Sequence, residues 1–311
     1  MSQKTLTGTD DPPATPRSGK LLRPLSRVCI LLLTILIIFW ATGCMERLFY
    51  HPTSGPTPPP ADHPGAESIQ FSSSDATKLS GWFIPAWPDA ARTTPPPTIL
   101  HIHGNAGNIE SHIWFTEYLP PNGFNLFIFD FRGYGESEGR AIRRDDLIAD
   151  SHAALDILLV RSDVDPDRIG LYAQSLGGAI GLNLMADRLE ISVGVIESSF
   201  TSWREVAASA VGGDQPGWLA RLLASVLIPD HHRPIDAVSR IDRPLLLLQG
   251  TDDEIVPFSH GQRLAEASVD HSTFHSLTGG RHNSLRDSHP EIETLIINFF
   301  QQHLEASKNH P

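Results

Sequence analysis

The sequence predicts an α/β fold, in which a mostly parallel central sheet lies between helices on both faces. Short runs rich in β-branched and aromatic residues alternate along the chain with longer stretches of helical periodicity. Two of the short runs, residues 98–102 and 125–129, are apolar almost throughout, as is typical of strands buried on both faces. Strands that alternate with helices favour a mostly parallel sheet, because each helix returns the chain to the end from which the next strand starts.

The remaining elements are predicted in order from the same patterns. The predicted strands are residues 69–71, 79–84, 98–102, 125–129, 168–172, 193–196, 244–249 and 273–276. The predicted helices are residues 111–119, 145 to about 160, a helix beginning near residue 176, and residues 291–303. Asp145 and Asp146 suit the first turn of the second of these helices, because carboxylates are stabilised by the positive end of a helix dipole.

Composition excludes several classes of protein. Of the 311 residues, 40% are hydrophobic and 19% are charged, which is typical of a chain that folds around an apolar core. The formal net charge is -12, which argues against nucleic-acid binding because that function needs clustered Lys and Arg. Both cysteines, Cys29 and Cys44, precede the predicted domain, so we expect neither a disulfide framework nor a cysteine zinc site.

Residues 1–43 have the pattern of an export signal. Basic residues precede an apolar run, residues 28–40, which is shorter than the roughly 20 residues that span a bilayer. The run is followed by small residues and by Cys44, and this arrangement resembles a bacterial lipoprotein signal in which the cysteine is lipidated. We therefore expect lipidation at Cys44, with an uncleaved signal anchor reaching Phe49 as the alternative. Either would leave the protein membrane-anchored and extracytoplasmic.

The chain between the signal and the predicted domain is rich in proline. Six prolines fall within residues 51–64, so we expect residues 44–66 to form an extended tether and residues 67–305 to form the domain. Without residues 1–43 the chain is more acidic than the whole, so an anchor rather than electrostatic attraction would hold it at an anionic membrane.

The candidate chemistry lies in loops at the carboxyl ends of predicted strands, where α/β proteins place their sites. In residues 172–178, Ser175 falls at a strand-turn-helix corner with small neighbours, which suits an exposed nucleophile at a helix N-terminus. A short sequence of this kind is often only a helix N-cap, so the neighbouring loops must show whether Ser175 is a nucleophile. Residues 103–108 follow an earlier strand at the position of the second oxyanion donor, and we assign the oxyanion hole to the backbone N–H groups of Asn105 and Leu176.

Two later loops supply an acid and a base. Residues 250–257 carry the adjacent carboxylates Asp252 and Asp253, and residues 279–283 carry His282. The chain order is therefore serine, acid and histidine, which are the residue types of a nucleophile with a general base and its orienting acid. A serine or histidine alone is more often structural, and the joint placement at successive strand ends favours catalysis.

Five loop sequences together resemble the α/β-hydrolase superfamily over residues 67–304. HGNAGN, DFRGYGESEG, AQSLGG, GTDDEIVP and GRHN are similar to the loops of membrane-associated serine hydrolases, which include palmitoyl-protein thioesterase-like and serine aminopeptidase-like members. The resemblance implies that Ser175 is the nucleophile and His282 the general base. The family spacing G-x-x-D-x-x-V-P implies Asp253 as the acid, leaving Asp252 as a capping or solvent-facing residue.

Residues 200–234 are the most individual part of the chain. They contain an apolar stripe at helical spacing, formed by Trp218, Leu219, Leu222, Leu223, Val226 and Leu227. We expect a small helical cap that lines an acyl-chain pocket over the serine, with a helix packed on the sheet as the alternative.

These residues predict a membrane-tethered serine hydrolase that cleaves carboxylic esters or thioesters, with small acyl or lipid-like substrates, no cofactor and no metal. We expect His231 and His232 to lie in an exposed turn and His101 to be buried and hydrogen-bonded. The alternatives are a serine aminopeptidase on the same fold and a catalytically silent binding protein.

Overall fold

The computed structural model describes residues 34, 46–213, 215–268 and 271–305. The strands in this part of the chain are β1 (Glu67–Ser72), β2 (Lys78–Ile84), β3 (Thr98–Ile102), β4 (Asn125–Phe129), β5 (Ile169–Gln174), β6 (Ile191–Glu197), β7 (Leu245–Gly250) and β8 (Ser272–Leu277). They form one eight-stranded sheet in the order β1-β2-β4-β3-β5-β6-β7-β8. The β1–β2 and β2–β4 pairs are antiparallel, and every other neighbouring pair is parallel.

Helices connect the parallel strands. In the described residues they are α1 (Ile109–His112), α2 (Arg144–Leu159), α3 (Leu176–Asp187), α4 (Trp203–Gly212), α5 (Trp218–Leu227), α6 (Pro234–Val238), α7 (Phe258–Ala267), α8 (Leu285–Ser288) and α9 (Glu291–Glu305). The helix predicted at residues 111–119 is shorter than expected. The Asn108 side chain caps α1 early, and the chain then tightens into a 3-10 turn at Ile113–Phe115. Two prolines follow at residues 120 and 121, where an α-helix could not continue.

The sheet has an apolar core on each face. Along β3, Leu100 packs into the cluster beneath α2 and α3, whereas Ile99 packs into the cluster beneath α9. Successive side chains of a strand point to opposite faces, so a strand with no polar face needs cover on both. The mostly parallel sheet with helices on both faces confirms the predicted fold class.

The segment between β6 and α6 forms the predicted helical cap. Ser202 begins α4 by accepting a hydrogen bond from the Glu205 backbone N–H, and α4 packs against α5. The apolar stripe predicted on α5 does not pack on the sheet, because most of its large side chains are exposed and Trp218 has 76% of its surface in solvent.

The structure departs from the predicted tether. From Glu46 the chain packs on the domain: the Glu46 carboxylate pairs with Arg144 in a nearly buried ion pair of 3.1 Å. Further along, the Thr53 backbone N–H donates to Gly107. These contacts could not be predicted from sequence, because both partners are far along the chain. The packed part of the domain therefore begins well before the predicted boundary at residue 67.

Most of the predicted export signal lies outside the described residues, including Cys44 and residues 28–40 except Thr34. The end of the alternative, a signal anchor reaching Phe49, is described: Glu46–Phe49 is a 3-10 turn that packs on the domain, where the Phe49 ring contacts Trp203, so an anchor would have to end before Glu46. Among the helices that the structure does describe, none combines the length and the hydropathy of a bilayer span.

Candidate active site

Ser175 lies at a sharp turn between β5 and α3. Its backbone has φ 55° and ψ -116°, a left-handed conformation that a residue with a side chain rarely adopts. The Ser175 N–H donates to the Glu197 carbonyl at the end of β6, at 2.8 Å, which fixes the turn. Strained backbone of this kind persists only where surrounding contacts hold it, and it clusters at active sites. The turn places Ser175 at the edge of a cavity.

Small residues allow α3 to start this close to the sheet. A Cβ atom added to Gly177 would lie 2.1 Å from the carbonyl oxygen of Ile102. The usual motif has glycine two residues before the serine, where this chain has Ala173. A Cβ atom at Gly181 would lie 2.9 Å from the Ala173 methyl group, so the absence of a side chain at Gly181 makes room for that methyl group.

The structure brings together the three residues that the sequence predicts as nucleophile, base and acid. The Ser175 Oγ atom lies 2.9 Å from Nε2 of His282, and Nδ1 of His282 lies 2.8 Å from Oδ2 of Asp253. The Asp253 side chain has no exposed surface and that of His282 has 3%. The Asp253 carboxylate accepts a hydrogen bond from the Nδ1–H group of His282, which leaves Nε2 free to accept the serine proton.

The neighbouring carboxylates Asp252 and Asp253 have different surroundings. Asp253 also accepts from the backbone N–H groups of Ile255 and Val256 and from Nε2 of Gln249. Asp252 is exposed, and its carboxylate accepts from the Thr251 hydroxyl. The geometry therefore matches the choice of Asp253 as the residue that orients His282.

Glu197 is a buried carboxyl beneath the site that the sequence analysis missed. Burial raises its pKa to about 7, although a hydrogen bond from the Tyr172 hydroxyl and the nearby His282 act in the opposite direction. The signal that could have found it is an acidic residue at the end of the apolar strand β6, directly before the turn that Ser175 contacts. A carboxyl with this pKa changes its charge near neutral pH, close to the candidate triad.

Both predicted oxyanion donors line the cavity beside Ser175. Leu176 is the first residue of α3, where helix N–H groups face outward and favour negative charge. Asn105 follows β3, and its side chain holds the loop in place: Nδ2 donates to the Phe49 carbonyl, and Oδ1 accepts from Tyr134 at 3.1 Å. This arrangement suits stabilisation of an oxyanion at Ser175 by the two backbone N–H groups.

Neutral histidines hold the loop that carries Asn105. Burial lowers the pKa of His103 to about 3, and it also lowers the pKa of His112. Nδ1 of His103 donates to the Gly104 carbonyl, and Nε2 of His112 donates to the Ala106 carbonyl at 2.9 Å. His101 is buried and hydrogen-bonded to Thr116, in line with its predicted structural role. These rings support the loop rather than contribute charge.

The cavity next to Ser175 is mainly apolar and has a volume of about 710 Å³. The cap helices α4 and α5 form much of its wall, and Phe49 and Phe200 add aromatic side chains. None of the described residues that line it is Asp or Glu. A cavity of this size and polarity suits an acyl chain more than a charged group.

Within the described residues, one cluster has the ligand types of a metal site: Asp145, His231 and His232. All three are exposed, and the two Nε2 atoms lie 3.0 and 3.2 Å from Oδ1 of Asp145. None of them lines the cavity at Ser175. The two histidines lie in an exposed segment, as the sequence predicted, and Nε2 of His231 is hydrogen-bonded to the Asp145 carboxylate.

Comparisons with known proteins place these features in a wider group. A family model described as serine aminopeptidase, S33, matches residues 93–233. The chain is 32% identical over 269 residues to the uncharacterized protein YfhR of Escherichia coli (strain K12), covering 85% of this chain and 89% of YfhR. It is 34% identical over 228 residues to the alpha/beta hydrolase domain-containing protein WAV2 of Arabidopsis thaliana, covering 70% of this chain and 72% of WAV2.

A solved structure has the same architecture. The esterase Pf2001 of Pyrococcus furiosus matches with a TM-score of 0.67 at 21% identity, over 82% of this chain and 98% of that one. At this identity the likeness shows the fold alone.

Proposed function

Since the chain belongs to the α/β-hydrolase superfamily, we propose that it is a serine hydrolase that cleaves carboxylic esters or thioesters through Ser175, His282 and Asp253. The observation that carries the proposal is the continuous hydrogen-bonded chain from the Ser175 hydroxyl through His282 to the buried Asp253. It lies at the edge of an apolar cavity, next to two candidate oxyanion donors.

The first half of the reaction transfers the acyl group to the protein. Nε2 of His282 takes the proton of Ser175 as Oγ attacks the carbonyl carbon, and Asp253 stabilises the imidazolium. The N–H groups of Asn105 and Leu176 bind the tetrahedral oxyanion, and each such donor is typically worth about 10²–10³ in rate. The C–O or C–S bond then breaks, His282 gives its proton to the leaving alcohol or thiol, and an acyl-Ser175 ester remains.

The second half returns the protein to its starting state. His282 takes a proton from water, and the resulting hydroxide attacks the acyl-Ser175 carbonyl. The tetrahedral intermediate expels the serine oxygen, which recovers its proton from His282, and the carboxylic acid is released. These steps need no group beyond the residues named and a water molecule.

The cavity favours acyl chains over peptides with a free N-terminus. An aminopeptidase needs a carboxylate that binds the substrate ammonium group, and the described lining residues include no Asp or Glu. The family model described as serine aminopeptidase keeps aminoacyl substrates as the second candidate. A silent binding protein is the third, and the assembled chain of Ser175, His282 and Asp253 argues against it.

The proposal includes membrane attachment. It is supported by the apolar run at residues 28–40 and by Cys44 at its end, which together suit a lipoprotein with an extracytoplasmic domain. A signal anchor would give the same tethering. The mass of the mature N-terminus separates the two, because lipidation at Cys44 requires cleavage after Gly43.

The kinetic test uses Ser175→Ala and a matched control, Ser192→Ala. Ser192 is a serine of β6 whose hydroxyl donates to the Asp167 carbonyl. The panel is p-nitrophenyl esters of increasing chain length, acyl thioesters and aminoacyl anilides. We expect Ser175→Ala to abolish ester and thioester hydrolysis and Ser192→Ala to retain it. Hydrolysis of anilides alone by the wild type would favour the aminopeptidase, and unchanged ester hydrolysis by Ser175→Ala would refute the proposal.

A further inference from the structure

The helix α5 presents its apolar side chains to solvent. Trp218, Leu219, Leu222, Leu223 and Val226 each have half or more of their surface exposed, from 50% to 76%. At 100° per residue these five positions occupy a single arc of about 140°. An ordinary surface helix has the opposite arrangement, with its apolar stripe towards the core and its polar residues outward. Contiguous exposed apolar surface of this kind marks a site of interaction.

The same helix forms a wall of the Ser175 cavity. Its inner side chains, which include Ala224 and Leu227, line the cavity, and so does the half-exposed Leu223 at the margin of the outer face, whereas Leu219 and Leu222 do not. The apolar surface continues at the cavity edge, where Val211 is 83% exposed and also lines the cavity. An acyl chain could therefore pass from the outer face of α5 into the Ser175 cavity along a mainly apolar surface.

The segment that begins at Glu46, where the continuously described chain starts, lies beside the same cavity. Phe49 lines the cavity, and its carbonyl accepts from the Asn105 side chain. In the sequence, only residues 41–45 separate Trp40, the last residue of the apolar run, from Glu46. A fully extended chain of that length reaches at most about 21 Å, so a bilayer that holds a signal anchor, or the lipid of Cys44 after cleavage, is within that reach of Glu46.

The charges next to the cap suit lipid head groups. Arg221 is the one charged residue within α5, and the exposed Arg204 and Arg263 line a neighbouring pocket together with it. Among the residues described in that pocket, Glu205 is the one carboxylate, and it forms an ion pair of 2.5 Å with Arg263, so the pocket keeps a net positive charge. Helices that lie at a membrane surface combine an apolar face with Arg or Lys at its margin, and the apolar face is buried about 5–10 Å into the lipid.

We propose that the outer face of α5, formed by Trp218, Leu219, Leu222, Leu223 and Val226, docks on a lipid bilayer, so that the acyl chain of a membrane-held ester or thioester enters the Ser175 cavity directly from the membrane. The inference rests on the proposed function. It adds that the physiological substrate is held in lipid rather than dissolved in water.

The kinetic test compares two substrates with full-length protein reconstituted in phosphatidylcholine and phosphatidylglycerol vesicles. The variant is Leu219→Ser/Leu222→Ser, which leaves the cavity lining unchanged. We expect hydrolysis of a long-chain ester embedded in the vesicles to fall by about tenfold or more, because two leucines lose the apolar surface that docks. Hydrolysis of soluble p-nitrophenyl acetate should stay within about twofold of wild type, since the Ser175 site is untouched.

A matched control changes exposed apolar residues elsewhere on the domain. Val160 and Leu189 are 78% and 76% exposed, and neither belongs to the cap. Val160→Ser/Leu189→Ser should hydrolyse both substrates like wild type. An equal loss of vesicle activity in the control would overturn the inference, and so would full vesicle activity in the α5 variant. Failure of wild type to hydrolyse both soluble esters and soluble thioesters would instead refute the proposed function.

A second readout reports the docking itself. The emission of Trp218, obtained as the difference between wild type and Trp218→Phe, should be quenched by lipids brominated on their acyl chains. Unquenched emission would overturn the inference. Light scattering of the detergent-solubilised protein tests whether a second copy of the chain, rather than lipid, covers the outer face of α5. A wild-type dimer that becomes monomeric in Leu219→Ser/Leu222→Ser would show that it does, and would overturn the inference.

Discussion

Replacing Asp253 with asparagine tests the site at the level of single hydrogen bonds. Oδ1 of Asp253 accepts from two backbone N–H groups, so the asparagine oxygen must remain there. The new NH₂ group then replaces Oδ2, which accepts at 2.8 Å from Nδ1 of His282 and at 2.8 Å from Nε2 of Gln249. Nδ1 of His282 also lies 3.0 Å from Oδ1, but that oxygen already accepts from two backbone N–H groups and is a poorer partner. The Nδ1–H group of His282, the NH₂ group of Gln249 and the new NH₂ group at residue 253 would then all be donors that face one another. His282 relieves the conflict by carrying its proton on Nε2, where it can no longer accept the Ser175 proton.

The expected loss follows from that tautomer. An enzyme whose histidine is held in the wrong tautomer loses about 10³–10⁴ in kcat/KM, which corresponds to about 4–5.5 kcal/mol of transition-state stabilisation. The assay is steady-state hydrolysis of p-nitrophenyl butyrate, with thermal unfolding as the check that the variant is folded. Asp252→Asn is the control, because that side chain is exposed, and it should keep activity within about twofold. A loss below tenfold in folded Asp253→Asn would refute the assignment of the acid.

Three further predictions concern the surroundings of the site. Burial raises the pKa of Glu197 to about 7 in the folded protein, from 4.5. The protonated carboxyl therefore stabilises the fold at low pH, and this contribution is lost as the pH rises from 4.5 to about 7. Glu197→Gln should lose less thermal stability than wild type between about pH 5 and pH 8, because glutamine does not titrate. Gly177→Ala should lower the unfolding free energy by about 2 kcal/mol or more, measured in urea, because the new Cβ would lie 2.1 Å from the Ile102 carbonyl oxygen. Glu46→Ala should cost about 3 kcal/mol in the same assay, because it leaves the buried Arg144 without its carboxylate.

Each of these predictions has a contrasting result. Parallel pH dependence in wild type and Glu197→Gln would show that Glu197 does not titrate near neutral pH. Gly217→Ala is the control for Gly177, because a Cβ at Gly217 would contact nothing within 4 Å, and equal effects of the two would contradict the packing argument. Glu67→Ala removes an exposed partner of Arg161 and should cost less than about 1 kcal/mol. If Glu46→Ala also costs less than about 1 kcal/mol, the segment that follows Glu46 does not stabilise the domain and is a tether, as the sequence predicts.

The parts of the structure that sequence predicted well depend on local signals. Apolar runs marked β3 and β4, and the strained turn at Ser175 was marked by the small residues that follow it. Strand-end loops could be expected to meet, since parallel strands end at one edge of a sheet. This is why residues far apart in sequence, Ser175 and His282, could be paired before the structure was known.

The parts that sequence did not predict depend on tertiary partners. Glu46 contacts Arg144 across 98 residues, and the proline-rich composition that follows Glu46 concealed this contact. Glu197 was missed because its altered pKa comes from burial, which the presence of one acidic residue in the sequence does not reveal. Periodicity revealed the apolar stripe on α5 but not the direction in which it faces, because a helix that packs on a sheet and one that docks on lipid have the same stripe.

Covalent labelling of the nucleophile provides the most direct test of the central claim. Full-length protein is incubated with a fluorophosphonate, which reacts with activated serines, and the adduct is located by tandem mass spectrometry. The account predicts a single adduct on the peptide that contains Ser175, with no labelling in Ser175→Ala and strongly slowed labelling in Asp253→Asn. An adduct on another residue, or an unlabelled wild-type protein that is correctly folded, would contradict it.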